Sequence, residues 1–205
     1  MTIMSDKPSN VLDNGKLTMS APKLANGEFP PKFKVGTYNN NPQYTVFTGV
    51  TSAKRGGVIS AGMDPITFYT PLRLIERMID EPIPQETVTY EIENHAGRGS
   101  EKAIKSRTII GKDPEGVVFI SILDVDDSMP KVRFNFDADF YHKINVNGMS
   151  KGQISCISAQ GFVDAWRSIL GPHLVNSYEK VVFRGGGGGN HNKGGNSGGG
   201  NSQPW

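Results

Sequence analysis

Two pairs of cations spaced two residues apart, Lys105 with Arg107 and Lys131 with Arg133, are the side chains best placed to do chemistry in this chain. They lie in strand-like sequence, IKSRTIIG and KVRFNF, where successive side chains point to opposite faces. In KVRFNF, Val132, Phe134 and Phe136 belong to a core, which turns Lys131, Arg133 and Asn135 the other way. In VVFISIL, Phe119 and Ser121 share a face opposite Val118, Ile120 and Ile122. If these strands are neighbours in one antiparallel sheet, Lys105, Arg107, Phe119, Lys131 and Arg133 line its open side. Arg98 and Lys102 sit in the adjoining polar loop and Lys112 at a hairpin turn. Cations that neutralise phosphates, beside an aromatic ring on which a base can stack, make a platform for single-stranded nucleic acid. Phe119 is the expected stacking ring, with Tyr90 a second. Lys54 and Arg55, in a glycine-flanked turn, are a further candidate contact. The competing reading of the same alternation is a solvated sheet face with no ligand.

Other chemistries find little support. His95, His142, His173 and His191 are scattered, without the spacing of a zinc site. Asp124, Asp126 and Asp127 lack the spacing of a calcium loop and read as an acidic turn. The glycine runs have neither the lysine ending nor the strand-to-helix setting of a phosphate loop. Cys156, flanked by isoleucine in ISCIS, reads as a core residue on a strand. A protein that is not an enzyme, with no metal or cofactor, is expected. The net charge of +2 is too small to imply nucleic acid by itself, so a basic footprint has to come from clustering. One cysteine allows no internal disulfide, and no run approaches the roughly 20 apolar residues of a membrane helix. A cytoplasmic setting is expected.

The elements that must position these residues follow from periodicity. Residues 1–31 read as a flexible arm ending at Pro30-Pro31, residues 32–183 as the folded, nucleic-acid-binding domain, and residues 184–205 as a disordered tail. Strands are expected at YTVFTGV, VISAG, ITFY, VTYEIENH, IKSRTIIG, VVFISILDV, KVRFNF and GQISCI. One helix is expected after Thr70 as cap, with Pro71 in its first position. A second is expected after Ser158, interrupted at Gly171-Pro172. The segments GVISAGMDPITFYTPLRLIERMI and GVVFISILDVDDSMPKVRFNFDADFYHKI echo each other, which suggests a duplicated strand-strand-strand-helix unit. The fold class is α+β, a twisted antiparallel sheet backed by amphipathic helices. A five-stranded oligonucleotide-binding barrel is the alternative.

The order of KVRFNFDADFYHKI and ISAQGFVDAWRSILGPHLVNSY, a last strand followed by a proline-interrupted amphipathic helix, resembles the Whirly, Pur and transcription-coactivator group of single-strand binders. The whole layout is similar to the single-stranded DNA-binding proteins of tailed phages. That resemblance implies a sequence-independent single-stranded DNA binder acting in phage replication, recombination or repair, in the host cytoplasm. RNA is a possible ligand, and a homo-oligomer is expected. Tails of such binders end in acidic residues and an aromatic; here GGGNSQPW keeps Trp205 but has no acid, which puts acid-dependent recruitment of replication or recombination proteins in doubt. A structural or assembly protein, such as a virion or scaffold subunit associating through its glycine-rich tail, is the reading from another class. With ten glycines and almost no apolar surface, residues 184–205 cannot offset the entropy of ordering. Deleting Gly185 to Trp205 is therefore expected to leave the thermal melting midpoint unchanged and to alter cooperativity or partner contact; a truncated chain that fails to fold would contradict this.

Overall fold

The computed structural model describes residues 18–38, 41–96, 103–136, 144 and 146–176. Two four-stranded antiparallel sheets and two helices make an α+β fold with no closed barrel. The first sheet has the order β1 (Thr18–Ser20), β2 (Lys32–Tyr38), β3 (Asn41–Phe47) and β4 (Val58–Gly62), followed by α1 (Pro65–Asp80). The second has the order β5 (Val88–Ala96), β6 (Ala103–Lys112), β7 (Val118–Asp124) and β8 (Phe134–Asn135), followed by α2 (Lys151–Asn176). The expected single sheet is thus divided in two, and each half is a meander closed by a helix. The repetition lies in topology: the sequence echo aligns β4 and α1 with β7 and β8, which are not equivalent elements. The first sheet begins at Thr18, inside the stretch expected to be an arm. The arm before it and the tail lie outside the described residues.

Several element boundaries differ from those expected. ITFY is the first turn of α1. Asp64 is its cap, accepting from the Ile66 and Thr67 amides at 3.0 Å each, and Pro65 takes the first helical position. Thr70-Pro71 has the same cap-like composition six residues later, but Pro71 lies inside the helix. Phe68, Leu72, Ile75 and Met78 supply the buried stripe. GQISCI is likewise helical. Ser150 and Gln153 form a capping box, the Gln153 amide donating to Ser150 Oγ at 3.2 Å and the Ser150 amide to Gln153 Oε1 at 2.8 Å. Ser155, Ala159, Val163, Trp166 and Leu170 then form the buried stripe, and the helix runs on through Gly171-Pro172. Cys156 is therefore a partly buried residue on α2 and not on a strand. In KVRFNF only Phe134 and Asn135 pair with β7, although Val132, Phe134 and Phe136 are buried as alternation requires. The DADFYHKI segment lies mostly outside the described residues.

One core serves both sheets. The Phe33 ring lies 5.2 Å from Tyr44, 5.7 Å from Phe134 and 6.3 Å from Phe162, joining β2 to β3, β8 and α2. Tyr44 stacks in turn on Phe68 of α1 at 4.8 Å. At about 25 cal/mol per Å² of apolar area removed from water, large rings of this kind dominate the stability of such a domain. Contacts between the helices add a bidentate pair from Arg167 to Glu76, one arm at 2.8 Å. That hydrogen bond holds the Glu76 carboxyl below its ordinary value. α2 starts against the β6–β7 turn because Gly152 has no side chain: a Cβ there would lie 2.5 Å from the Glu115 carbonyl. Close by, Ser155 Oγ accepts from the Val118 amide at 2.8 Å.

The Tyr44 hydroxyl is buried without a hydrogen-bond partner among the described residues, and burial pushes its pKa up. Removing a buried, unsatisfied hydroxyl while keeping the ring should relieve a desolvation cost. Tyr44→Phe is expected to raise unfolding free energy by about 1 kcal/mol in urea titration; a loss of stability would show that the hydroxyl has a partner.

Candidate nucleic-acid interface

The expected basic face of the second sheet is present as a face, with three of its four cations, Arg107, Lys131 and Arg133, paired to acids of the fold. Register sets Arg107 opposite Glu93 and Leu123, and Ile109 opposite Glu91 and Ser121. Arg107 Nε lies 3.1 Å from Glu91 and one terminal nitrogen 3.8 Å from Glu93. The two carboxylates that hold this guanidinium would repel a phosphate. Lys105 falls at a β-bulge where the β5–β6 register shifts, and is exposed. Lys131 lies outside β8 and pairs with Asp127 at 3.2 Å.

Phe119 corrects the expectation most sharply, because it is buried and presents no free ring face. Its ring lies against Gly111, where a Cβ would sit 2.4 Å from it, and the Arg133 guanidinium covers it at 4.0 Å from the centroid. Arg133 donates to Asp113 and, at 2.6 Å, to Asn135 Oδ1. Burial pushes the Asp113 carboxyl up, but the hydrogen bonds from Arg133 and the Val117 and Glu115 amides outweigh it and leave the pKa lowered.

Other expected contacts are also committed to the fold. Tyr90 points to the core face, opposite Arg107, and its hydroxyl donates to Glu81 at 3.0 Å while Arg77 lies 5.4 Å from its ring centroid. Lys112 is buried; its amine donates to the Ile79 and Glu81 carbonyls at 3.4 and 2.5 Å, completing the C-terminal end of α1. Lys54 pairs with Asp126 at 2.8 Å and Arg55 with the buried carboxylate of Asp124 at 3.0 Å. These ion pairs tie the first sheet's turn to the end of β7, with Arg55 held at φ 55°, in the left-handed region. Arg98 and Lys102 lie outside the described residues. The acidic turn is built as read: Asp124 accepts from the Asp126 amide and Asp126 from the Ser128 amide.

Two lysines and two exposed rings share the open face of the first sheet. Burial of Phe33 and Val35 turns Lys32, Lys34 and Gly36 outward on β2, and Tyr38 lies on the same side. Lys32 pairs in register with Phe47, and Phe47 with Val58; Lys34 pairs with Thr45, and Thr45 with Ser60. Tyr38 is 66% and Phe47 43% exposed. The four strands contain no Asp or Glu. Acids lie in the adjoining segments: Glu28, held by the Thr51 hydroxyl, and Asp64, two residues beyond β4. KFKVGTY carries the same alternating signal as IKSRTIIG and lies inside the expected domain, but it is not among the strands expected from the sequence.

Comparison with family models, with curated proteins and with solved structures gave no match. Among the described residues, no helix is long and apolar enough to cross a membrane, and no group of three or more His, Cys, Asp or Glu could hold a metal ion.

The two lysine environments predict opposite phenotypes. Lys112→Ala leaves helix-end carbonyls unpaired in a buried setting and is expected to cost about 2 kcal/mol of unfolding free energy, with no loss of oligonucleotide affinity in the folded fraction. Normal stability with weakened binding would reverse that assignment.

Proposed function

We propose that the protein binds single-stranded nucleic acid through the open face of its first sheet, acting in the cytoplasm as a largely sequence-tolerant DNA-binding protein of replication, recombination or repair. The observation that carries this reading is the pair Lys32 and Lys34, with exposed Phe47 and Tyr38, on a face whose strands hold no carboxylate. The lysine amines neutralise phosphates and release counterions. The aromatic rings offer stacking surfaces that only unpaired bases can reach, which favours a single strand over a duplex. One such face per chain contacts a short length of strand, so assembly of several copies along the nucleic acid belongs to the same proposal.

Anisotropy of a labelled thirty-base oligonucleotide tests the proposal. Micromolar protein at low salt should bind it in preference to the duplex. Replacing Lys32 and Lys34 together by Gln should flatten the dependence of log K on log salt concentration by about 1.4, from about 0.7 per phosphate contact on a single strand. Phe47→Ala should weaken binding by about fivefold or more. Arg107→Ala combined with Arg133→Ala should change affinity less than about twofold, since both are satisfied within the fold. An oligonucleotide left unbound at micromolar protein and low salt would defeat the proposal.

A further inference from the structure

Between the Lys34 row and Tyr38, the open face of the first sheet has a gap. Gln43 on β3 pairs with Gly36 on one side and with Gly62 on the other, so its side chain stands between two positions that have none. Glycine inside a strand weakens it, and a fold retains one where the backbone must turn, bulge or let something approach closely. The first two reasons do not apply. Neither Gly36 nor Gly62 has a positive φ, and the β2–β3 and β3–β4 ladders run through them without a register shift. Packing does not require them either. A Cβ at Gly62 would meet nothing within 4 Å, and one at Gly36 would meet only the Lys34 side chain at 4.0 Å. The remaining reason is an approach from outside. The Gln43 amide has no hydrogen-bond partner among the described residues and offers a donor and an acceptor side by side.

Resting on the single-strand reading above, we infer that Gly36, Gln43 and Gly62 form a base-recognition subsite that favours adenine. The rows of this face step along β2 by about 7 Å every second residue. An extended strand with a phosphate at Lys32 and a base on Phe47, its partner in register, therefore places following bases towards the Gly36 row. The backbone of exposed Gly62 and half-buried Gly36 gives a flat purine ring room to lie against the sheet, at a height that a β-carbon would deny. Gln43 then meets the base edge, and the glutamine amide matches the adjacent donor and acceptor of adenine. The protein would tolerate any sequence, through phosphate and stacking contacts, and still hold one register more tightly when adenine falls at this row.

Competition between twelve-base oligonucleotides, dC12 and a repeat of dC-dC-dA, tests the subsite. The wild-type protein should favour the adenine-containing strand by about fivefold or more, and Gln43→Leu should abolish that preference while leaving dC12 affinity within about twofold. Gly36→Val and Gly62→Val introduce a side chain suited to strands, so the folded state should survive with an unchanged or raised melting midpoint. Each should lower affinity for the adenine-containing strand by about tenfold. Full binding and preference in both valine variants and in Gln43→Leu, with affinity lost on Lys32→Glu plus Lys34→Glu, would overturn the subsite and leave the platform standing. Binding that survives the double charge reversal would overturn the platform and the subsite with it.

Discussion

The placement of Phe33 is the constraint from which the functional geometry follows. Its ring contacts rings from β3, β8 and α2, so β2 cannot rotate or slip by one residue without withdrawing the side chain that joins the two sheets. With a side-chain period of two, burying Phe33 and Val35 obliges Lys32, Lys34 and Gly36 to face solvent. The same packing that gives the molecule one core therefore also turns Lys32 and Lys34 to the open face. No separate device is needed to hold them out.

The two sheets contrast in how they treat charge. On the second, each guanidinium of the open face has found an acid or a ring: Arg107 lies between Glu91 and Glu93, and Arg133 bonds Asp113 over Phe119. Such exposed pairs add little stability, but they cancel the field that a polyanion would feel. On the first sheet, the four strands contribute no carboxylate to the open face. Counting basic residues on a face is thus a poor guide to phosphate affinity, and the register of neighbouring acids decides it.

Much of the architecture was legible in the sequence, and the reasons for the misses are local. Alternation identified the inward set Val132, Phe134 and Phe136, the hairpin joining β6 to β7, and two helices each closing a run of strands. ITFY and GQISCI were misread because a few apolar residues fit periods of two and of 3.6 equally well, and only the capping groups, Asp64 before Pro65 and Ser150 with Gln153, separate the cases. The burial of Phe119 was not legible, since it depends on Gly111 lying across the ladder and on Arg133 arriving from a later segment. Likewise Lys112 looked like a turn cation, because nothing local shows that α1 ends beside it. The open face of the first sheet was legible by the rule applied to the second, since KFKVGTY alternates within the expected domain, but that rule was applied only to the second half of the chain.

The amine of Lys112 carries a consequence for how the chain reaches its native state. α1 belongs to the first meander, yet its final carbonyls are satisfied by a residue in the second strand of the next one, more than thirty positions further on. Phe33 waits in the same way for Phe134 and Phe162. A nascent chain that has emerged only through α1 therefore carries an unfinished helix end and an aromatic surface without its lid. During synthesis the first meander can form as secondary structure but not as a settled body, and consolidation must wait for sequence made later. Duplicated in outline, the halves are not duplicates in autonomy: they mature together.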